Sequence, residues 1–315
     1  MPMAENGSRL KIGSYAVWLA VKGLLAAASL LPQAFLLGFF RAASASFHAL
    51  GIRRRVVRVN LRAAFGKDLP EPELDRITRG CYAEYGRILA EILHSDRLLR
   101  EKEDRFDLRG LPILEEARRN GTGLLILTGH LGNFIVLAHL LGSMGFRMTG
   151  VAKRIANPYL NREVEAVYGR YGSTIIEVRG ARNDPQGGIR LYRSLKQGNT
   201  VVAMVDQDAG PEGYISTFFG LPTSLPSGPV RLAFRSGAKV TTGFATREDG
   251  RIRMEVQPHI DCSRADSPDA AERIVLDEYS RRMEAVVRRV PEQYFWFHKK
   301  WKSVPEIRAR YEGAG

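Results

Sequence analysis

His130 is the residue of this chain whose surroundings best suit acid–base chemistry, because a short apolar run precedes it and a longer one follows it. Residues 124–127 are uncharged and apolar and lie between two glycines, which is typical of a strand buried on both faces. Residues 134–141 form an apolar run whose length favours a helix, and Asn133 is a good N-cap residue. His130 is therefore expected in the turn between a strand and a helix.

The turn gives this histidine a defined chemical character. Gly129 and Gly132 free the backbone for a tight turn. The positive end of a helix dipole disfavours an imidazolium, so a histidine just before a helix keeps a neutral ring that accepts a proton. Two interpretations follow: His130 is a general base, or it is a loop histidine that only hydrogen-bonds to backbone groups.

The elements that must position His130 form an alternating series of short apolar strands and helical segments. This alternation predicts an α/β fold with a central, mostly parallel sheet flanked by helices. Residues 239–246 and 252–257 are joined by Glu248-Asp249-Gly250 and are predicted to form a hairpin. The other predicted strands are 147–151, 174–178 and 200–205, and the predicted helices are 71–99, 159–171, 187–197, 229–236 and 270–289.

Basic side chains follow two of these strands. In open α/β sheets ligands bind at the carboxyl ends of the strands, so residues that follow different strands are expected to lie close together. Lys153 and Arg154 lie at the end of one strand, and Arg179 follows another. They suit a phosphate or carboxylate on a substrate, and arginine is the better bidentate partner.

Two acidic residues, Asp206 and Asp208, follow the strand at 200–205. They are two positions apart, so in an extended chain both would point to the same side. Their predicted role is to orient His130 or to contact a hydroxyl group of an acceptor. A metal site is the competing interpretation, but two carboxylates without a matched third ligand indicate one only weakly.

Residues 15–40 are apolar, with Lys22 as the charged exception and Pro32 as an interruption. The uncharged part is about the minimum length for a helix that crosses a bilayer, and Pro32 would divide it. We expect a membrane anchor within residues 1–45, as a marginal span or as two interfacial helices, and an α/β domain over residues 46–315. The alternative is a helical hairpin packed on that domain.

Arginines that favour the cytoplasmic side and anionic headgroups follow the anchor at positions 41, 53, 54, 55, 58 and 62.

Near the carboxyl end, aromatic rings alternate with lysines. Trp296, Lys299, Lys300 and Trp301 have the composition of a membrane interface, where rings sit at headgroup depth and lysines meet phosphates. A stacking platform for nucleic acid has the same composition, and so does an ordinary segment with a buried core and an exposed rim.

The net charge of +13 and the pI near 9.9 indicate an anionic partner. Nucleic acid, an anionic membrane surface, a phosphorylated lipid and an acidic carrier protein all fit this charge. The absence of a zinc-finger spacing, an RNA-binding aromatic motif or a basic coiled coil disfavours nucleic acid. Cys81 and Cys262 stand alone in unrelated contexts, which argues against a disulfide framework.

Six blocks occur in the order found in the bacterial lipid A biosynthesis acyltransferases, the lauroyl and myristoyl transferase group of the lysophospholipid acyltransferase superfamily. The chain resembles this family from about Tyr15 to Lys302, and six ordered blocks are far more specific than any one of them. The blocks are NLRAAF at 60–65, GHLGN at 129–133, NPYL at 157–160, DQD at 206–208, FFG at 218–220 and WFHKKWK at 296–302.

The resemblance implies an enzyme of the bacterial inner membrane that faces the cytoplasm. It implies transfer of a fatty acyl chain from an acyl carrier protein (ACP) thioester, or from acyl-CoA, to a hydroxyl of a lipid or glycolipid. His130 corresponds to the family's histidine, which deprotonates the acceptor hydroxyl without a metal, a cofactor or a covalent enzyme intermediate. The backbone N–H groups of the turn from Gly132 through Asn133 to Phe134 are expected to stabilise the oxyanion.

The chain departs from the family motif at Ile135, where relatives carry Glu or Asp five residues after the histidine. A smaller departure is Leu225 in place of Thr. An acid at position 135 would orient the imidazole, and its loss can lower turnover by orders of magnitude while the fold survives. Either Asp206 or Asp208 supplies the carboxylate, or the chain belongs to a divergent branch with a different acceptor, or it has become an impaired, membrane-bound lipid-binding or regulatory protein. We favour the first two explanations in combination.

Overall fold

The computed structural model describes residues 3–66, 69–178 and 185–313, with the side chains of residues 3–12, 24, 29, 102 and 153 left out. Its strands are β1 Phe106–Arg109, β2 Leu124–Thr128, β3 Met148–Lys153, β4 Thr174–Val178, β5 Thr200–Met204, β6 Tyr214–Phe218, β7 Leu221–Leu225, β8 Lys239–Glu248 and β9 Arg251–Val256. Its α-helices are α1 Met3–Leu30, α2 Gln33–Ala49, α3 Arg54–Phe65, α4 Glu71–Leu93, α5 Ser95–Arg100, α6 Lys102–Arg105, α7 Leu111–Asn120, α8 Phe134–Ser143, α9 Pro158–Arg170, α10 Pro185–Lys196, α11 Gly228–Ser236, α12 Pro268–Arg289 and α13 Pro305–Glu312.

A seven-stranded sheet organises the fold, with the strand order β1-β9-β8-β2-β5-β3-β4. The five strands from β8 to β4 run parallel to one another. The hairpin partner β9 runs antiparallel to β8, and β1 adds to the edge parallel to β9. The predicted α/β fold with a mostly parallel sheet is therefore confirmed.

The central strand β2 is buried along its whole length. Alternate residues point to opposite faces of a strand, so Leu125 and Leu127 pack into one hydrophobic core while Leu124 and Ile126 pack into another. Helices cover both faces of the sheet, with α8 in the second core. This double burial explains why the strand is apolar throughout instead of alternating.

The predicted elements are close to those observed, with differences at short or polar segments. The helix predicted over 71–99 ends at Leu93, and a separate helix begins at Ser95, whose hydroxyl donates to the Ile92 carbonyl at 2.8 Å. The sequence analysis missed β1, a four-residue edge strand with two charged residues. It also missed the antiparallel pair of β6 and β7, which stands outside the main sheet.

The N-terminal helices are interrupted at Pro32, as predicted. Among the described residues no single helix is long and apolar enough to cross a bilayer, and α2 with α3 reaches that length only as a pair bent by 81°. Leu36 of α2 packs against Ala90 of α4. The predicted domain boundary after residue 45 falls inside α2, which continues to Ala49.

The predicted membrane-interface segment near the carboxyl end lies inside the protein instead. Trp296, Lys300 and Trp301 are 0, 3 and 1% exposed, so these side chains do not reach headgroups. The rings of Trp296 and Trp301 stack on each other with centroids 6.5 Å apart. The prediction was wrong for these three residues because their composition suits a core with aromatic rings as well as an interface. Lys299 is half-buried, with its ammonium group 5.8 Å from the Tyr311 ring centre.

Asn60 ties helix α3 to this buried C-terminal segment. Its amide Nδ2 donates to the carbonyl oxygens of Trp296 at 2.6 Å and His298 at 2.7 Å, and its Oδ1 accepts from the Tyr311 hydroxyl. Asn60 is fully buried. The side chain therefore makes hydrogen bonds to three polar groups near the carboxyl end of the chain.

We predict that Asn60→Ala lowers the free energy of unfolding by roughly 3 kcal/mol, because it leaves buried polar groups unpaired. Tyr311→Phe removes one of these bonds and is expected to cost about 1 kcal/mol. Chemical denaturation of both variants beside the unaltered protein measures the two values. Equal losses would contradict the assignment of Asn60 as the main link.

Candidate active site

Sheet register brings His130 and Asp206 together. Thr128 and Met204, the last residues of β2 and β5, are paired in the sheet, and His130 and Asp206 each lie two residues further along. The backbone N–H of Val205 still donates to the Thr128 carbonyl at 3.1 Å. The two functional side chains therefore leave adjacent strands at the same height, at the carboxyl ends of the strands.

His130 and Asp206 form a two-point contact. Nδ1 of the ring lies 2.8 Å from Oδ1 of Asp206, and the backbone N–H of His130 donates to Oδ2 at 3.0 Å. The carbonyl of His130 accepts from the backbone N–H of Phe295 at 3.0 Å. Both the ring and the backbone of the histidine are thus held. With Nδ1–H donated to the carboxylate, Nε2 carries the free lone pair.

Two glycines make this close approach feasible. A side chain at Gly129 would lie 3.1 Å from Cβ and Cγ of Asp206 and 2.6 Å from Cε of Met283. Gly132 has φ of +53°, and a Cβ there would lie 2.5 Å from the carbonyl oxygen of Ala245. The turn predicted from these glycines is confirmed. Close packing requires both of them, and backbone conformation requires a glycine at position 132 as well.

The pKa of His130 is raised above its ordinary value of 6.5. Burial of the ring works against the imidazolium, but the charge of Asp206 and its hydrogen bond to the ring outweigh burial. The sequence analysis expected the helix dipole to favour the neutral ring, and the direct carboxylate contact reverses that expectation. Asp206 is itself buried, which disfavours its charge, yet His130 and Lys300 hold the pKa of this carboxyl below its ordinary value.

His130 also lines a cavity of about 320 Å³ beneath helix α8, whereas Asp206 does not line it. Nε2 lies 3.5 Å from Nε2 of Gln207, and the rings of Phe134 and Phe295 flank the imidazole with centroids 5.8 Å away. Beyond Thr128 and His130, most of the cavity wall is aliphatic or aromatic. His130, the candidate base, thus borders a space suited to an apolar chain.

Asp208 is not part of this pair. Its carboxylate accepts from the backbone N–H of Gly210 at 2.7 Å and from the hydroxyl of Ser303 at 2.8 Å. The ammonium group of Lys302 lies 3.9 Å away. The prediction that Asp206 and Asp208 share one side was wrong, because the chain leaves the extended conformation after β5, and Asp208 anchors the C-terminal segment.

The predicted basic anion site has a different outcome for each residue. Lys153 ends strand β3, and its side chain is outside the described atoms. Arg154 pairs with Glu177 at 3.6 Å and is half-exposed. Arg179 lies outside the described residues. Among the described contacts, Arg154 thus forms an ion pair with Glu177 of strand β4 and makes none with His130 or Asp206.

Asn133 has a structural task. Its Oδ1 caps helix α8 by accepting from the Val136 N–H at 3.1 Å, and its Nδ2 donates to Oε2 of Glu91 at 2.8 Å. The N-cap prediction is confirmed, but the buried side chain faces the protein instead of a substrate. The backbone N–H of Gly132 likewise donates to the Gln293 carbonyl at 3.0 Å, which removes it from the predicted oxyanion site.

Glu91 connects this turn to a buried ion cluster that the sequence analysis missed. Arg247 donates to both carboxylate oxygens of Glu91, at 2.7 and 2.6 Å, and to Glu84 at 3.2 Å. The backbone of Arg247 and the side chain of Gln293 exchange two further hydrogen bonds. The acids come from α4 and the arginine from β8, and no short sequence motif joins elements so far apart.

Lys300 has a defined place beside Asp206. Its ammonium group donates to the backbone carbonyl of Asp206 at 2.7 Å and lies 4.3 Å from the ring centre of Phe218. Burial lowers the pKa of Lys300 to about 8, although Asp206 and Asp208 act in the opposite direction. The lysine therefore fixes the strand end that carries the catalytic carboxylate candidate.

Comparison with known proteins adds a family to this geometry. The family model described as bacterial lipid A biosynthesis acyltransferase matches residues 3–303. The chain is 27% identical over 255 residues to a lipid A biosynthesis myristoyltransferase of Escherichia coli strain K12, covering 79% of this chain and 75% of the relative. It is 26% identical to a phosphatidylinositol mannoside acyltransferase of Mycolicibacterium smegmatis, covering 83% of each chain. A palmitoleoyltransferase of lipid A biosynthesis from E. coli is 25% identical, with 80% of each covered.

We predict that the pKa of His130 lies above 6.5 in the folded protein and falls below that value in Asp206→Asn. The amide lacks the charge that favours the imidazolium, while burial of the ring remains. NMR titration of ring-labelled histidines measures both values, with His130→Gln identifying the resonance. Asp208→Asn is the matched control and should leave the titration of His130 nearly unchanged. A pKa of His130 that is the same with and without the Asp206 carboxylate would contradict the pairing.

Proposed function

Because this chain belongs to the bacterial lipid A biosynthesis acyltransferase family, we propose that it transfers a fatty acyl chain from a thioester to a hydroxyl group of a membrane lipid or glycolipid. The donor is an acyl carrier protein or CoA thioester. The observation that carries the proposal is the pairing of the buried Asp206 with His130, which lines an apolar cavity. Base, orienting carboxylate and chain-binding space thus meet at one point.

In the proposed reaction Nε2 of His130 takes the proton of the acceptor hydroxyl while the hydroxyl oxygen attacks the thioester carbonyl carbon. The tetrahedral intermediate collapses, the carbon–sulfur bond breaks, and the imidazolium returns the proton to the leaving thiolate. An ester and a free thiol are the products. Asp206 holds the ring through Nδ1 and stabilises the imidazolium between the two proton transfers.

We assign the oxyanion contact to the start of helix α8. The first amides of a helix have no acceptor within the helix. Val136 and Leu137 donate to Asn133, whereas Phe134 and Ile135 come before them in the same turn and line the cavity beside His130. Their backbone N–H groups, together with the helix dipole, would stabilise negative charge on the carbonyl oxygen.

Ile135 fits a working site on this assignment. The family motif places an acid at this position, and here Asp206 occupies the hydrogen-bonding position at Nδ1. The ring therefore already has its orienting carboxylate. Ile135 adds apolar surface to the cavity wall next to the base, where the beginning of an acyl chain would lie.

The acceptor is proposed only as a class. The similar proteins include lipid A acyltransferases and phosphatidylinositol mannoside acyltransferases at 25 to 27% identity. Both names describe acylation of a glycolipid, so a hydroxyl group of a membrane glycolipid is the common feature. The net charge of +13 suits an acidic carrier protein as donor and an anionic acceptor or membrane surface.

We further propose that α1 and α2 hold the enzyme on the cytoplasmic face of the membrane. Phe35 and Phe39 lie four residues apart on α2 and are 57 and 56% exposed, while Leu36 between them is buried. Leu30 at the break before α2 is 85% exposed. This pattern is that of a helix with one apolar face on the protein and another free to enter the headgroup region.

The reaction predicts that His130→Ala lowers transfer of a labelled acyl group by at least about 100-fold without unfolding the protein, because general-base catalysis typically contributes 10²–10⁴-fold. The wild-type rate should rise with pH through a pKa above 6.5, since only the neutral ring accepts a proton. Membranes from cells with and without the protein, compared by lipid mass spectrometry, identify the lipid that gains one acyl chain. Transfer that survives His130→Ala would exclude this base.

Ile135→Glu distinguishes a site in which Asp206 has taken the role of the family's acid from a site that has lost activity together with that acid. In the Asp206→Asn background, where activity is expected to fall sharply, Ile135→Glu should restore part of the rate if any carboxylate near the ring suffices. In the wild-type background the same change should give no large gain. A large gain there, or wild-type protein without detectable transfer, would instead favour the impaired lipid-binding homologue.

Membrane attachment through α2 predicts that Phe35→Ser combined with Phe39→Ser weakens flotation with vesicles of anionic and zwitterionic phospholipid by at least about tenfold, because two large apolar side chains no longer leave water. Ile215→Ser is the matched control, since Ile215 is 55% exposed on β6. Equal flotation of the double variant and the control would refute this orientation.

A further inference from the structure

The cavity beside His130 has a floor that crosses four neighbouring strands. Sheet register pairs Ile126 with Val202, Val202 with Gly150, and Gly150 with Ile175. All four residues line the cavity. Neighbouring strands lie 4.7–4.9 Å apart, so this row is about 14 Å long. It leads from the strand that precedes His130 to the edge strand β4.

Gly150 is the member of this row without a side chain. A Cβ placed there would meet only the carbonyl oxygen of Thr174, at 3.9 Å, so the position has room for a larger residue. Its φ angle is outside the left-handed region that favours glycine. Neither packing nor backbone conformation therefore requires a glycine at this place, although glycine weakens a strand.

Gly243, the other glycine in a strand of the cavity wall, has no such room for a side chain. A Cβ at Gly243 would lie 2.9 Å from Cγ2 of Ile126, so packing within the protein requires glycine there. At Gly150 the vacant space belongs to the cavity. A glycine inside a strand often marks the place where a ligand passes close to the backbone.

The end of the cavity beside strand β4 is more polar than the rest of its wall. Tyr168 of α9 and Ser173 line it beside Ile175. The Ser173 hydroxyl is buried and has no hydrogen-bond partner among the described residues, and burial raises the pKa of Tyr168. These two hydroxyls mark where the apolar wall ends, so an alkyl chain gains little by extending past them.

We propose that Gly150 determines how long an acyl chain this enzyme accepts, by leaving open the passage from the His130 end of the cavity to Tyr168 and Ser173. The inference rests on the proposed acyl transfer and identifies the residue that sets its chain-length preference. The chain crosses β2 and β5, passes over the backbone of Gly150 and ends against Tyr168. A side chain at position 150 would stop it about two strand spacings from β2, roughly 10 Å.

The test compares Gly150→Leu with wild type on a series of saturated acyl-CoA donors that differ by two carbons. The variant should lose the least activity with the shortest accepted donors, and each further pair of excluded methylenes should lower kcat/KM by roughly tenfold. Gly188→Leu is the matched control, because a Cβ at Gly188 also has its nearest neighbour at 3.9 Å, on α11. The control should keep the wild-type length profile.

Two further variants and a binding measurement complete the test. Tyr168→Ala opens the far end and should shift the preference toward longer chains, and Gly150→Ala provides a smaller obstacle should the leucine variant fail to fold. Binding of free fatty acids of graded length, followed by displacement of a fluorescent fatty acid, reports the cavity without turnover. An unchanged length profile in both Gly150 variants, or an equal loss for all lengths, overturns the role of Gly150. Length-dependent binding that shifts as expected, in a protein without transfer activity, supports Gly150 and overturns only the proposed reaction.

Discussion

The burial of one carboxylate, that of Asp206, is the constraint on which the site depends. A charge that is 3% exposed must be compensated by nearby donors, because its hydration is lost. His130 supplies two of these donors, and Lys300 neutralises the same strand end through the backbone carbonyl. The nearby tyrosines Tyr279 and Tyr294 stay neutral, since burial and the charge of Asp206 raise the pKa of each. Strand end, base and C-terminal segment therefore hold one another in place.

A second set of contacts, made by Gln293, Arg247 and Glu91, also holds the turn that carries His130. Gln293 accepts the Gly132 N–H with its carbonyl and binds the backbone of Arg247 with its side chain. Arg247 in turn neutralises Glu91, which holds Asn133. Breaking a buried ion pair on one side typically costs 3–5 kcal/mol, so this cluster strongly resists rearrangement. The histidine thus sits on a turn whose conformation does not depend on an acid at position 135.

Much of this arrangement follows from the sequence, and the limit has a physical cause. The strand before His130, the turn glycines and the Asn133 cap are local features with their own periodicity, and each was found where expected. Asp206 could be predicted to lie near His130 because the carboxyl ends of parallel strands meet at one edge of the sheet. The role of Asp208 and the burial of Trp296 and Trp301 depend on where a distant segment folds back, and residue composition is the same for a membrane interface and a core. The Arg247 cluster joins three elements that are far apart in sequence, so no local pattern reports it.

In the proposed reaction, the residue at position 135 affects both the candidate base and the binding of the acyl chain. A carboxylate on the first turn of α8 would place a charged group in the wall of an apolar cavity, where it would cost free energy unless paired. Here the carboxylate next to the ring comes from the end of β5, and Asp206 is not among the residues that line the cavity. The α8 side of the cavity then begins with Ile135 next to the base. A thioester whose carbonyl group lies at Nε2 would therefore have its alkyl chain in apolar surroundings from the first carbons onward. Contacts with the alkyl chain would then contribute binding energy to the reaction.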